Sequence, residues 1–255
     1  KDTSRGLGDV YKRQAYIYGT SRRWQFVCRT TPGISEAMQS LEALIRDQLM
    51  PAIMGGHEVS DELRMILNLP ARLGGMGFLD PSVEADIEYE NSLLVTTQLA
   101  DQIYDQKAHF HVDEETQGQI MHDLRKRKEQ RWKNRHEQMQ NVLSDRMKRI
   151  LLLASEKGAS TWLTSLPLKY YGFRLNKQQF WDALCMRYDF NLKDVAKYCQ
   201  CGQQYTINHC LSCKKGGYVI IRHNVVRDTI AELLEEVCKD VRVEPRLSLI
   251  HISEP

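Results

Sequence analysis

Cys199, Cys201, His209 and Cys213 fall in the run CQCGQQYTINHCLSC as C-x-C-x7-H-x3-C. Three soft thiolates and one imidazole so close together form a donor set that suits a single tetrahedral zinc ion. His209 and Cys213 are one helical turn apart, so a helix puts both on one face, and the Cys199/Cys201 pair is expected on a loop. Gly202 follows that pair, where a chain wrapping a metal needs an unusual backbone angle. The C-x-C spacing is tighter than the usual two to four intervening residues. A small unit of buried free thiols is therefore the alternative to one structural Zn2+. Cys210, Cys185 and Cys238 are expected in the core.

Two cationic segments could meet phosphate. The first directly follows the cysteine cluster, where KKGGYVIIRHNVVRD carries Lys214, Lys215, Arg222, His223 and Arg227. Cations crowding the start of a helix suit a phosphate group; the plainer alternative is Asn224 as a cap with surface ion pairing. The second runs from His122 to Arg149, with ten Lys/Arg against four Asp/Glu. Arg125, Lys126, Arg127, Lys128 and Arg131 are its candidate contacts. It is either a solvated helix with intrahelical ion pairs or a helix laid on a nucleic-acid backbone, with Trp132 free to pack or stack.

No residue is assigned to catalysis. The glycine-rich RLGGMGF at Arg72–Phe78 lacks the Lys-Ser/Thr and the preceding strand of a phosphate loop, so it is expected to be a tight connection. No nucleophile elbow occurs, and no metal set leaves an open position. A small-molecule substrate is not expected.

The chain has 255 residues, 42% apolar, with a formal charge of 35 − 33 = +2 and a mean hydropathy of −0.48. Overall charge is thus silent about partners, whereas the local excess is not. No window approaches the roughly 18 apolar residues of a membrane span, and no secretory leader is read at the N-terminus. Seven cysteines, an odd number, speak against a disulfide framework and for an intracellular, reducing location, nuclear or cytoplasmic.

The elements that must position these groups are mainly helical. Apolar spacing predicts a helix over 34–53, ended by Gly55-Gly56, and one from 60 to 67 capped by Ser60. Another is expected over 82–106, with Ile87, Leu93, Leu94, Leu99 and Ile103 as its core positions. A single long charged stretch follows over 114–155. Asn176 should cap a helix to about Tyr188, and a helix over 224–239 should lead into a strand at 241–245. The ends, RGLGDVYKRQ and SLIHISEP, resemble translated sequencing-adapter read-through. Residues 1–14 and 248–255 are therefore set aside, and the natural sequence is expected to continue past both junctions.

Taken in order, LPARLGGMGF, WDALCMRY, the CQCG…H…C cluster, KKGGYVIIRHNVVRD and EVCKDVRVEP resemble the C-terminal region of eukaryotic non-LTR retroelement reverse transcriptase polyproteins that carry a restriction-like endonuclease. The resemblance covers nearly all of 15–246. It implies a mainly α architecture: helical thumb and linker at 15–155, linker helix and zinc knuckle at 156–217, and at 218–247 the opening helix and strand of a truncated α/β nuclease. The implied partners are RNA template and target DNA. The polymerase and nuclease carboxylates of such proteins match no residue present, so the fragment itself is expected to be inactive. A stand-alone zinc-stabilised nucleic-acid-binding protein and a helical protein-interaction scaffold are the competing expectations.

Overall fold

The computed structural model describes residues 9–165, 168, 170, 175–191, 196–215 and 217–243. The expected strand falls partly outside them, as do both terminal tails except residues 9–14. The chain divides into two compact units, 1–191 and 192–255. The described residues are mainly helical and contain no strand, only an isolated bridge between Tyr198 and Gln204.

In the first unit, α1 (Asp9–Ala15) passes through a π turn at Tyr16–Thr20 into α2 (Ser21–Thr30). Arg13, set aside with the terminal segment in the sequence, is buried, and its guanidinium donates to Met76 O at 2.8 Å and Leu163 O at 3.0 Å. The expected 34–53 helix is present as α3 (Ser35–Leu44), a π turn at Ile45–Leu49 and α4 (Met50–Ile53). The π turn precedes Pro51, which has no N–H for the α ladder. The chain stops at Gly55 and Gly56, both at positive φ.

Helix α5 (Asp61–Asn68) begins as its cap predicts, with Leu63 N–H donating to Ser60 Oγ. The connection that follows is held by backbone bonds: Gly75 N–H to Pro70 O, Met76 and Phe78 N–H to Leu67 O, Gly77 N–H to Leu69 O. With those donors spent, little is left to cradle a phosphate. Its carbonyls are also taken, Gly74 by Tyr188 Oη and Ala71 and Gly75 by Arg187. A Cβ on Gly75 would lie 1.9 Å from Leu69 O. The glycine is thus required by close approach of the chain to itself, as for a tight connection.

Helix α6 (Pro81–Tyr104) is capped by Asp80, and α2 and α3 pack along it. Trp24, Cys28 and Ala85 are buried together there, flanked by Met38 and Leu41. The expected core positions of its second half are corrected: Leu93, Leu94, Leu99 and Ile103 are 40–62% exposed. The turn after α6 is secured by polar groups instead, Gln102 clasping His111 and Gln98 clasping Asp113 through their backbones.

The predicted 114–155 helix is two helices, α7 (Glu114–Val142) and α8 (Asp145–Ser155). Ser144 breaks it by giving its N–H and hydroxyl to the Glu62 carboxylate at 2.6 and 2.9 Å. A short α9 (Thr161–Thr164) leads towards α10 (Lys177–Tyr188), which starts with the reciprocal Asn176–Gln179 capping box. His57 stacks on Trp181 and Phe190 with ring centroids 5.2 and 4.9 Å away, and Gly55 leaves room for the Trp181 ring.

The second unit contains α11 (Ile207–Ser212) and α12 (Tyr218–Glu235). Helix α12 begins six residues before the predicted 224, because Gly217 turns the chain at φ +72° and the helix starts at once. Residues 241–243 form no strand, so of the expected helix and strand only the helix is seen among the described residues.

Candidate metal centre and cationic surfaces

The cysteine cluster is assembled by a loop and one short helix. Gly202, at φ +88°, lets its N–H reach Cys199 O at 2.8 Å, while Cys199 N–H reaches Gln203 O at 2.9 Å. The tight hairpin so formed points both of its thiols the same way despite the single intervening residue. Thr206 caps α11 by accepting from His209 N–H at 3.1 Å, and Cys213 N–H closes the far end on His209 O at 2.8 Å. Thr206 is a supporting residue that the sequence reading missed, although a Thr three residues before a helical ligand is a cap signal.

The four ligand atoms lie within 4.8 Å of one another, so the cluster could hold a metal ion. Cys199 Sγ and Cys213 Sγ are 3.7 Å apart, and Cys201 Sγ is 3.1 Å from His209 Nε2. Zn–S bonds of about 2.3 Å at tetrahedral angles separate two sulfurs by about 3.8 Å, and sulfur from imidazole nitrogen by about 3.5 Å. The sulfur pair fits that frame, and the S···N pair has to open by a few tenths of an ångström. Nε2 is the nitrogen that faces the thiols, leaving Nδ1 for an outer partner. The fourth nearby thiol, Cys210, is drawn aside to Tyr205 Oη at 3.0 Å. This hydrogen bond raises the Tyr205 pKa. Cys185 is buried as expected, Cys210 is half-buried, and Cys238 is exposed, which corrects its assignment to a core. It follows the end of α12, where the chain has turned out to solvent.

The cationic residues are distributed over both units. Arg125, Lys126, Arg127 and Lys128 are exposed on α7. Arg131 is partly buried and donates to Glu84 at 2.8 Å. Trp132, 2% exposed, is packed rather than available for stacking, with the guanidiniums of Arg131 and Arg135 over its ring at 5.4 and 5.7 Å. Helix α7 thus presents cations from 125–128 outward and turns 131, 132 and 135 inward. Lys214, Lys215, Arg222 and His223 are exposed, while Arg227 pairs with the adjacent Asp228 at 2.8 Å. Asn224 does not cap α12, whose N-cap is Gly217.

Among the described residues no helix is long and apolar enough to cross a membrane. No family model matches the chain, and neither a curated protein nor a solved structure does.

Proposed function

We propose that this chain is a nucleic-acid-binding C-terminal part of a retroelement reverse transcriptase, organised in its second unit by one structural zinc ion. The observation that carries this reading is the convergence of Cys199, Cys201, His209 and Cys213 directly before exposed Lys214 and Lys215 and a helix that bears exposed Arg222 and His223. Three thiolates and one imidazole leave no open position for water, as befits a structural rather than a catalytic zinc. Bound zinc would hold the hairpin and α11 in register. The cations beyond Cys213 would then face phosphates as a preformed set, giving affinity without sequence selection.

In this reading residues 15–155 are the thumb and linker helices, and Arg125–Lys128 contribute a second backbone contact. The partners are RNA template and target DNA, the location is intracellular, and the chemistry belongs to carboxylates outside this chain. The test is binding of the zinc-loaded chain to duplex DNA and to an RNA–DNA hybrid across a salt series. Affinity should fall steeply with salt for both ligands. Salt-independent binding, or none, would reject the reading.

One observation favours a protein-interaction scaffold instead. Val226, Ile230 and Leu233 on α12 and Val237 in the turn after it, spaced by four, three and four, are 51–80% exposed. Such a stripe suits a helical partner. An absence of any salt-sensitive nucleic-acid affinity would favour that alternative.

A further inference from the structure

We infer that the second unit takes the unpaired nucleobases of a single strand, RNA or DNA, with Tyr198 as the ring on which a base stacks. The inference rests on the nucleic-acid reading above and narrows it from any phosphate backbone to a strand whose bases are open.

Tyr198, Tyr205 and Tyr218 belong to this unit, and two of them are engaged with each other. Tyr205 Oη meets Cys210 Sγ at 3.0 Å and also bonds to Tyr218. Tyr198 differs: it is 68% exposed, and among the described residues its side chain makes no hydrogen bond or ring contact. Its backbone, by contrast, is fixed. Tyr198 bridges to Gln204, between a bond from Tyr205 N–H to Lys197 O at 3.0 Å and one from Cys199 N–H to Gln203 O at 2.9 Å. A tyrosine ring on a fixed backbone offers a large contact area, and only two side-chain torsions are left to order on binding.

The charge around the ring decides what it would meet. From Lys197 to Arg227 the chain has five Lys/Arg and no Asp or Glu. Three thiolates with one zinc dication leave a single negative charge, which these cations outweigh. Lys197, Lys214 and Lys215 are exposed. The Cys199 and Cys213 sulfurs are 3.7 Å apart, so their chain neighbours Tyr198 and Lys214 flank one sulfur pair. An aromatic face beside cations suits a polyanion that carries flat rings. An acidic peptide offers the charge without the rings. In a duplex both faces of each interior base are already stacked, so the tyrosine gains a partner only where the strand is open.

The test is a titration of the full, zinc-loaded chain with a short single strand, an abasic strand of the same length and charge, and a duplex of the same sequence, each across a salt series. The strand with bases should bind about tenfold tighter than the abasic one, the scale of one stacked base. Tyr198→Ala should erase that advantage while zinc content and duplex affinity stay unchanged, and Tyr198→Phe should keep it. No advantage over the abasic strand in the wild type, an advantage that survives Tyr198→Ala, or an equal loss of duplex affinity in that variant would overturn the inference. Where salt-sensitive binding persists in those cases, the nucleic-acid reading stands without it. No salt-sensitive binding to any of the three ligands would reject both.

Discussion

The sulfurs of Cys199 and Cys213, fourteen residues apart in sequence, approach to 3.7 Å. That is far beyond the roughly 2.05 Å of a disulfide and close to the edge of a zinc–thiolate tetrahedron. The pair is therefore placed to share a metal. Substitution by Co2+ should give the strong visible absorption of a tetrahedral thiolate site and sulfur-to-cobalt charge transfer in the near ultraviolet. Cys213→Ser should weaken both bands. A spectrum of octahedral type would show that the four residues do not form the first coordination sphere.

Zinc-loaded chain should use its two α12 arginines unequally. Arg222 is exposed and Arg227 is tied to Asp228. Arg222→Ala should lower the salt slope of nucleic-acid binding by roughly one unit, as for one lost phosphate contact. Arg227→Ala should change it less. Equal slopes for the wild type and the Arg222 variant would remove Arg222 from the footprint.

Gly75→Ala should be severely destabilising. Its Cβ would meet Leu69 O at 1.9 Å, in a connection whose neighbouring carbonyls are clasped by Arg13, Arg187 and Tyr188. A loss on the order of 3 kcal/mol or more in urea unfolding is expected for a backbone clash of this kind. Gly118→Ala, with open space around its Cβ, should stabilise slightly through helix propensity. Similar unfolding midpoints for the two variants would contradict this account of the turn.

Glu84 should give the first unit a distinctive pH response. Its side chain is buried, and desolvation raises its carboxyl pKa above the ordinary 4.5 despite Arg131 beside it. The folded state then holds the proton more tightly than the unfolded state. This contribution to stability is full below pH 4.5 and is lost as pH rises through the folded pKa. The difference in stability between the wild type and Glu84→Gln should therefore move against the wild type over that rise. A difference that stays constant with pH, or moves the other way, would show that Arg131 outweighs burial.

The free thiols outside the cluster should react in order of access. Cys238 is exposed, whereas Cys28 is buried, with its thiol pushed up to about 11 by burial. Alkylation of the zinc-loaded chain should label Cys238 first and Cys28 only after unfolding. Early labelling of Cys28 would contradict its placement between α2 and α6.

Local chemistry made part of this molecule readable in advance. Ser60 and Asn176 cap the helices assigned to them because a cap needs only its own next three residues. The four residues that could hold a metal ion were legible as a set because their types and spacing suit coordination. What depended on distant partners was not visible. Ser144 breaks a helix for Glu62, 82 positions earlier. Arg131 and Trp132 turn inward to meet Glu84 and the core. Apolar periodicity marked Leu93 and Ile103 as buried, but periodicity does not say whether another element arrives to cover them. The solvent-facing place of Cys238 had no local signal either.

The central claim is tested most directly by metal analysis of the reduced, purified chain, by plasma emission and by native mass spectrometry. The account predicts one zinc per chain, lost on Cys213→Ser or His209→Ala together with the order of the second unit, since binding and folding of such a site are coupled. Less than about half an equivalent of zinc in the wild type, or retention of zinc by both variants, would contradict it.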